Sequence, residues 1–139
     1  MKKVMVAGTF DLLHPGHVHF FKQAKKYGDW LVVVVARDRN VKKIKGHLPK
    51  HKERVRLQHV AAVATVNQVL LGGQGSIFAI IKKVRPQVIC LGYDQRITVS
   101  QLQQELKRLA MKVKVVRLRP YKAKQYKSSL MKNYAVRKN

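Results

Sequence analysis

The chain has 139 residues, and 30 Lys and Arg against 6 Asp and Glu give it a formal charge of +24. Hydrophobic residues make up 46% of it, too many for a chain held disordered by charge. No run approaches the roughly 18–20 apolar residues that span a bilayer, and Met1–Gly8 is too short an apolar start for a signal peptide. Membrane-spanning, collagen-like and disulfide-framework classes are excluded, leaving one intracellular domain over 1–139 that handles something anionic. The single Cys90 fits a reducing cytoplasm and, within an apolar run, reads as a buried, inert thiol.

The charge is uneven. Residues 37–59 hold nine Lys and Arg beside Asp38 and Glu53, and twelve more follow Glu105 with no acid among them. Between them, residues 60–81 hold no Lys, Arg, Asp or Glu and read as buried.

In chain order, Val4-Met5-Val6-Ala7 is a continuous apolar run stopped by Gly8, the pattern of a strand covered on both faces. Pro15-Gly16 opens a helix carrying Phe20, Phe21 and Ala24, closed near Tyr27-Gly28. Trp30–Ala36 is the strongest strand signal. Residues 37–50 read as a charged loop containing Gly46 and Pro49. Val55, Leu57, Val60, Ala61 and Ala64 predict a helix over about 51–65, and Val69-Leu70-Leu71 a short strand ending in Gly72-Gly73. Ser76 predicts an N-cap for a helix bearing Ile77, Ile80, Ile81 and Val84, which ends before Pro86. Val88–Leu91 predicts the fourth strand, stopped by Gly92. Ser100 with Gln103 predicts a capping box for a helix carrying Leu102, Leu106 and Leu109. Val113–Leu118 predicts the fifth strand, and residues from about Ser128 a last basic helix. The alternation βαβαβαβαβα implies an α/β fold: a Rossmann-like, parallel five-stranded sheet with helices on both faces. Ligands in such folds sit beyond the carboxyl ends of the strands.

At the first strand end stands Gly8-Thr9-Phe10-Asp11-Leu12-Leu13-His14-Pro15-Gly16-His17. Gly8, lacking a Cβ, lets a polyphosphate approach the backbone. His14 and His17 project at the positive end of a helix, beside backbone N–H groups expected to be unpaired. Two imidazoles there can hydrogen-bond phosphate oxygens and support charge developing on a phosphorus under attack. An attacking phosphate is already anionic, so positioning suffices without a general base. His14-x-x-His17-x-His19 looks superficially like a zinc site, but one Cys and no carboxylate beyond Asp11 at ligand spacing make His19 a helix-surface residue. No protein metal site is predicted.

This stretch resembles the small nucleotidyltransferases of the cytidylyltransferase type, whose mark is (T/G)xFDxxHxGH, and the resemblance runs along nearly the whole chain. Gly28–Val33 and Ala36-Arg37-Asp38 look like that family's second strand and its sequel. Lys42-Lys43-Ile44-Lys45-Gly46 looks like its basic substrate loop, and Glu53-Arg54 like its ExxR-type helix start. Leu91-Gly92-Tyr93-Asp94-Gln95 looks like its nucleobase loop, and Lys127-Ser128-Ser129 like its late phosphate-binding turn. The resemblance implies the HIGH-type nucleotidyltransferase fold, with 119–139 a basic turn and helix closing the site. It implies His14, His17 and Lys45 as catalytic residues, and Gly8, Thr9, Phe10, Asp11, Gly16, Gly92, Tyr93, Asp94, Ser128 and Ser129 around the nucleotide. Lys43, Arg54 and Lys127 would meet phosphates of the triphosphate or acceptor, with Mg2+ carried mainly by the triphosphate. Two departures stand out: Val66-Asn67 replaces a common Val-Asp pair, and Lys127 intrudes in the late turn.

Within the family, the 35–46 and 91–95 stretches most resemble the short archaeal FAD synthetases, which are FMN adenylyltransferases. That implies ATP and FMN as substrates, FAD and pyrophosphate as products. A glycerol-3-phosphate-like cytidylyltransferase using CTP is the alternative within the family, since composition does not distinguish adenine from cytosine. A homodimer also follows from the resemblance, with 60–81 able to supply its apolar contact. The alternative of a different class is a non-enzymatic nucleic-acid binder using the basic stretches 37–59 and 106–139, with Tyr121, Tyr126 and Tyr134 as stacking candidates. A P-loop is excluded because no Lys-Ser/Thr follows Gly72-Gly73-Gln74-Gly75, and a dinucleotide fold because G-x-G-x-x-G is missing after the first strand.

Overall fold

The computed structural model describes residues 1–73, 76–92 and 97–119. Five strands form one parallel sheet: β1 (Lys3–Gly8), β2 (Trp30–Val35), β3 (Gln68–Leu71), β4 (Val88–Leu91) and β5 (Lys114–Arg117). Five helices connect them: α1 (Pro15–Lys25), α2 (Asp38–Lys45), α3 (Glu53–Ala61), α4 (Ile77–Val84) and α5 (Val99–Arg108). The strand order is β3-β2-β1-β4-β5, so the chain reverses its direction of travel between β1 and β4. That reversal opens a crevice at the carboxyl ends of β1 and β4, where such sheets bind ligands.

The apolar strands are continuous because both faces are covered. Val4, Val6, Leu31, Val33, Val35, Val88 and Cys90 pack on Phe21 and Ala24 of α1 and Val60 of α3. Met5, Val32, Val34, Ile89, Leu91 and Val115 pack on Ile81 and Val84 of α4 and Leu102 and Leu106 of α5. The period-2 alternation along each strand divides its side chains between these two layers.

Three expectations need correction. Residues 38–45, expected as loop, are helix α2, which puts Val41 inside and stops at Gly46 with φ 85°, a conformation glycine adopts without strain. The element order thus has two helices between β2 and β3. Helix α5 is capped by Thr98, not Ser100: Thr98 Oγ1 accepts from Gln101 N at 3.0 Å and Gln101 Oε1 accepts from Thr98 N at 2.9 Å. The same Thr/Ser-x-x-Gln spacing exists at both positions, and the earlier one frames the helix. Finally, the charge-free 60–81 stretch is not uniformly buried. It includes edge strand β3, and Ala61, Ala62, Ala64, Asn67, Gln68, Ile77 and Ala79 are exposed. Lack of charge there does not mean core.

Asn67 shows what the missing acid at its position leaves behind. Its Oδ1 accepts from Leu31 N at 2.8 Å and Lys25 Nζ at 2.7 Å, tying α1 to β2. An amide oxygen suffices for that. Cys90 is buried, and desolvation raises its thiol pKa to about 12, which keeps it a thiol at neutral pH.

Candidate active site

The loop after β1 leaves the sheet at Gly8, whose carbonyl accepts from Ala36 N at 2.9 Å. A Cβ on Gly8 would lie 2.8 Å from Phe10 Cζ, so the glycine is required by an internal neighbour as well as by any phosphate. Phe10 turns inward at φ 53° and is buried among Phe20 and Phe21, with its ring edge-on to His17 at 5.7 Å. Its side chain therefore lies against His17 on the core side. Leu12 also has a positive φ, 52°. Two such non-glycine residues within three positions cost energy that the surrounding contacts offset, a pattern concentrated at functional loops. Asp11 closes this loop onto the next: its carboxylate accepts from Lys50 N at 2.6 Å and His51 N at 3.0 Å.

His14 and His17 sit together, ring centroids 4.0 Å apart. His14 is the N-cap of α1, its Nδ1 accepting from Gly16 N at 3.0 Å. His17 completes the box, its Nδ1 accepting from His14 N at 3.3 Å. His17 N in turn donates to His14 O at 3.0 Å, and Pro15 has no N–H. The first-turn amides expected to be unpaired are thus satisfied within the loop. This changes the donor set. With both Nδ1 atoms accepting, each neutral imidazole carries its proton on Nε2, and those two Nε2–H groups are what the pair can offer an anion. Burial lowers the pKa of His14, and burial reinforced by the charge of His14 lowers that of His17 to about 4. Both are neutral donors at pH 7, set at the positive end of a helix with no acid in its first turn.

The remaining expected residues divide by place. Thr9 contributes its carbonyl to Arg56 rather than leaving it open. Gly92 follows β4 at the opposite lip of the crevice, and Arg117 donates to its carbonyl at 2.6 Å. Lys43 and Lys45 are exposed in the last turn of α2. Arg54 is exposed in the first turn of α3. Tyr93, Asp94, Gln95, Lys127, Ser128, Ser129 and the closing segment beyond Arg119 lie outside the described residues. Among the described residues, no three His, Cys, Asp or Glu side chains gather as they would around a metal ion.

Arg56 is the residue that sequence reasoning passes over. It is 0% exposed and joins two loops and the start of α2: Nε donates to His51 O, Nη1 to Thr9 O at 2.8 Å, and Nη2 to Asp38 Oδ1 at 2.6 Å. The Glu53-x-x-Arg56 spacing fits the ExxR pattern that Glu53-Arg54 only approximates. Arg56 also stands one turn before core residue Val60, which is the signal that could have found it.

The family model for cytidylyltransferase-like proteins matches residues 5–134. The chain belongs to the cytidylyltransferase-like family. It is 48% identical over 121 residues to the FAD synthase of Ferroglobus placidus, covering 86% of this chain and 77% of that protein. Its identity to the FAD synthase of Pyrococcus abyssi is 42% over 131 residues, covering 94% of this chain and 88% of that one. Among solved structures, a Thermoplasma volcanium protein named for lipopolysaccharide core biosynthesis superposes with TM-score 0.83 at 40% identity, over 87% of this chain and 98% of its own. The pantoate-beta-alanine ligase of Francisella tularensis superposes with TM-score 0.60 at 15% identity, over 84% of this chain and 58% of its own, a likeness of fold alone. The parallel sheet is therefore shared with these relatives, and no described helix is long and apolar enough to cross a membrane.

Proposed function

We infer that this chain is an FAD synthase, a nucleotidyltransferase that moves AMP from ATP onto FMN and releases pyrophosphate. The observation that carries the reading is the set of FAD synthases, 40–48% identical, that match it over most of its length. The site supplies the means. An oxygen of the FMN phosphate attacks the α-phosphorus of ATP in line, a new P–O bond forms, and the bond to the pyrophosphate oxygen breaks. The electron pair leaves with pyrophosphate. No proton need move, because the nucleophile is already anionic. His14 and His17 donate Nε2–H bonds to phosphate oxygens and stabilise charge that grows in the transition state. Donors held in place by the capping box need little reorganisation as reaction proceeds.

The lysines of α2, Lys43 and Lys45, with Arg54 and Lys127, take the role of phosphate contacts in this reading. Gly8, Thr9, Asp11, Gly16, Gly92, Tyr93, Asp94, Ser128 and Ser129 surround the nucleotide, and Phe10 acts through His17. Magnesium, held by triphosphate oxygens and water, supplies charge neutralisation when bound. A cytoplasmic location suits these substrates, and the exposed alanines of 61–64 offer a small-residue contact for a homodimer. Binding of polyanions other than substrates follows from the unbalanced charge.

The test crosses ATP and CTP with FMN and glycerol 3-phosphate in the presence of magnesium, with products separated by chromatography. FAD and pyrophosphate are expected from ATP with FMN, and little product elsewhere in the grid. His17→Ala should lower kcat by about 100- to 1,000-fold while the fold persists. A CDP-alcohol from CTP with glycerol 3-phosphate, without FAD, would overturn the acceptor assignment. Tight, salt-sensitive nucleic-acid binding without any turnover would overturn the enzyme reading altogether.

A further inference from the structure

We propose that Arg56 is a positioning residue that locks the nucleotide-side loop to the acceptor-side helix, so that the imidazoles and the α2 lysines keep one mutual geometry. The proposal rests on the FAD synthase reading and adds a role for a residue that does not touch the reacting atoms.

The network is built from two helix starts that face each other. Asp38 opens α2 and Glu53 opens α3. Asp38 N donates to Glu53 Oε1 at 2.9 Å, and Glu53 N donates to Asp38 Oδ2 at 3.2 Å, so each acid satisfies the other helix's orphan N–H. Two arginines neutralise the pair. Arg56 meets Asp38 from inside, and Arg37 meets Glu53 at 3.5 Å from the rim while its Nε donates to Gly72 O. Arg56 then has donors left over, and it spends them on Thr9 and His51 carbonyls.

Each of those segments leads to a part of the site. Thr9 immediately precedes the strained 10–12 turn that delivers His14. His51 belongs to the loop that Asp11 holds through the N–H groups of Lys50 and His51. Asp38 begins the helix whose last turn carries Lys43 and Lys45. A guanidinium is a planar fork with donors in fixed directions, so three acceptors bound to one fork are fixed in angle as well as distance. A lysine ammonium in the same place is a point charge that sets no such angles. Burial at 0% exposure leaves water no place among these bonds. Reactions that depend on in-line positioning are sensitive to displacements of about 1 Å, which can cost about 100-fold in rate.

The experiment measures kcat, both KM values and the melting curve of Arg56→Lys, Arg56→Gln, Asp38→Asn and the charge-balanced double variant Asp38→Asn/Arg56→Gln. The assay is FAD formation, run at least about 20 °C below each midpoint so that only folded protein is compared. Arg56→Lys should lose roughly 10- to 100-fold in kcat with KM for ATP and FMN changed less than about 3-fold. The double variant should be no worse than the worse single one, because both break the same link. Asp38→Asn, which keeps Arg56 and an acceptor oxygen, carries the test if the Arg56 variants do not fold, with a kcat loss of at least about 5-fold expected. Variants that melt early yet keep kcat within about 2-fold when folded would overturn the proposal and leave Arg56 a stability residue. Wild-type protein that forms no FAD would instead overturn the reading on which the proposal stands, and Arg108→Ala, remote on α5, marks the unaffected baseline.

Discussion

At the scale of single residues, the histidine pair turns on which nitrogen accepts. Because the capping box occupies both Nδ1 atoms, protonating either ring there would convert an acceptor into a donor facing an N–H. Burial, reinforced by the charge of His14, lowers the pKa of His17 from 6.5 to about 4. The consequence for stability has a definite sign. Between pH 4 and 6.5 the unfolded chain binds a proton on His17 that the folded chain does not, so stability falls as pH falls through that window. Each unit of difference corresponds to at most about 1.4 kcal/mol, and less once the solvent reaching this partly exposed pair is counted. His14, lowered in the same direction, adds to the trend. Calorimetric melting should show the wild-type midpoint dropping by roughly 5 °C between pH 7 and pH 4.5 beyond any drop in His17→Asn. Parallel curves for the two proteins would show that the pair is not held as neutral donors.

At the scale of elements, what was legible in the sequence followed from local signals. Strands β1, β2 and β4 are unbroken apolar runs ended by Gly or by an Ala-Arg step, and both their faces are covered. His14, His17 and the loop from Gly8 were visible because glycine, proline and histidine each mark a local backbone demand. Helix α2 was hidden because its only buried side chain is Val41, and six of its eight residues are charged or amide-bearing. What holds it is not its own periodicity but the reciprocal caps with α3, a contact across 15 residues of sequence. Arg56 was hidden for the same reason. Its three acceptors come from segments 5, 18 and 47 residues away, and no pattern within one helix reports them. Helix α5 gives the sharpest case, because two candidate caps of equal sequence merit stand two residues apart. Thr98→Ala removes a hydroxyl that accepts from Gln101 N and should cost about 1 kcal/mol by denaturant titration. Ser100→Ala lies inside the helix and should change stability by less than about 0.5 kcal/mol. The reverse ranking would return the cap to Ser100.

At the scale of the whole molecule, the +24 charge has few counterweights to the lysines on its surface. Every acid among the described residues is already engaged. Asp11 binds backbone N–H groups, Asp29 accepts from Lys2 N, Asp38 and Glu53 pair with Arg56 and Arg37, and Glu105 pairs with Arg108. The five acids are spent on loops, caps and helix ends, and the exposed cations repel one another. Repulsion of that kind acts against the compact state and is screened by salt, since the Debye length falls from about 14 Å at 0.05 M to about 4 Å at 0.5 M. Salt also weakens ion pairs, which pulls the other way. The Arg56–Asp38 pair has its arginine fully buried and is screened little, and the exposed Arg108–Glu105 pair contributes little to begin with. The repulsive side is therefore the larger one. Raising sodium chloride from 0.05 to 0.5 M should lift the melting midpoint, on the order of 5 °C. The same change should lower kcat/KM for FMN, because long-range attraction of an anionic substrate is lost while kcat at saturation holds. A midpoint that fell with salt would mean that the internal pairs, not the surface lysines, dominate the electrostatics of the folded chain.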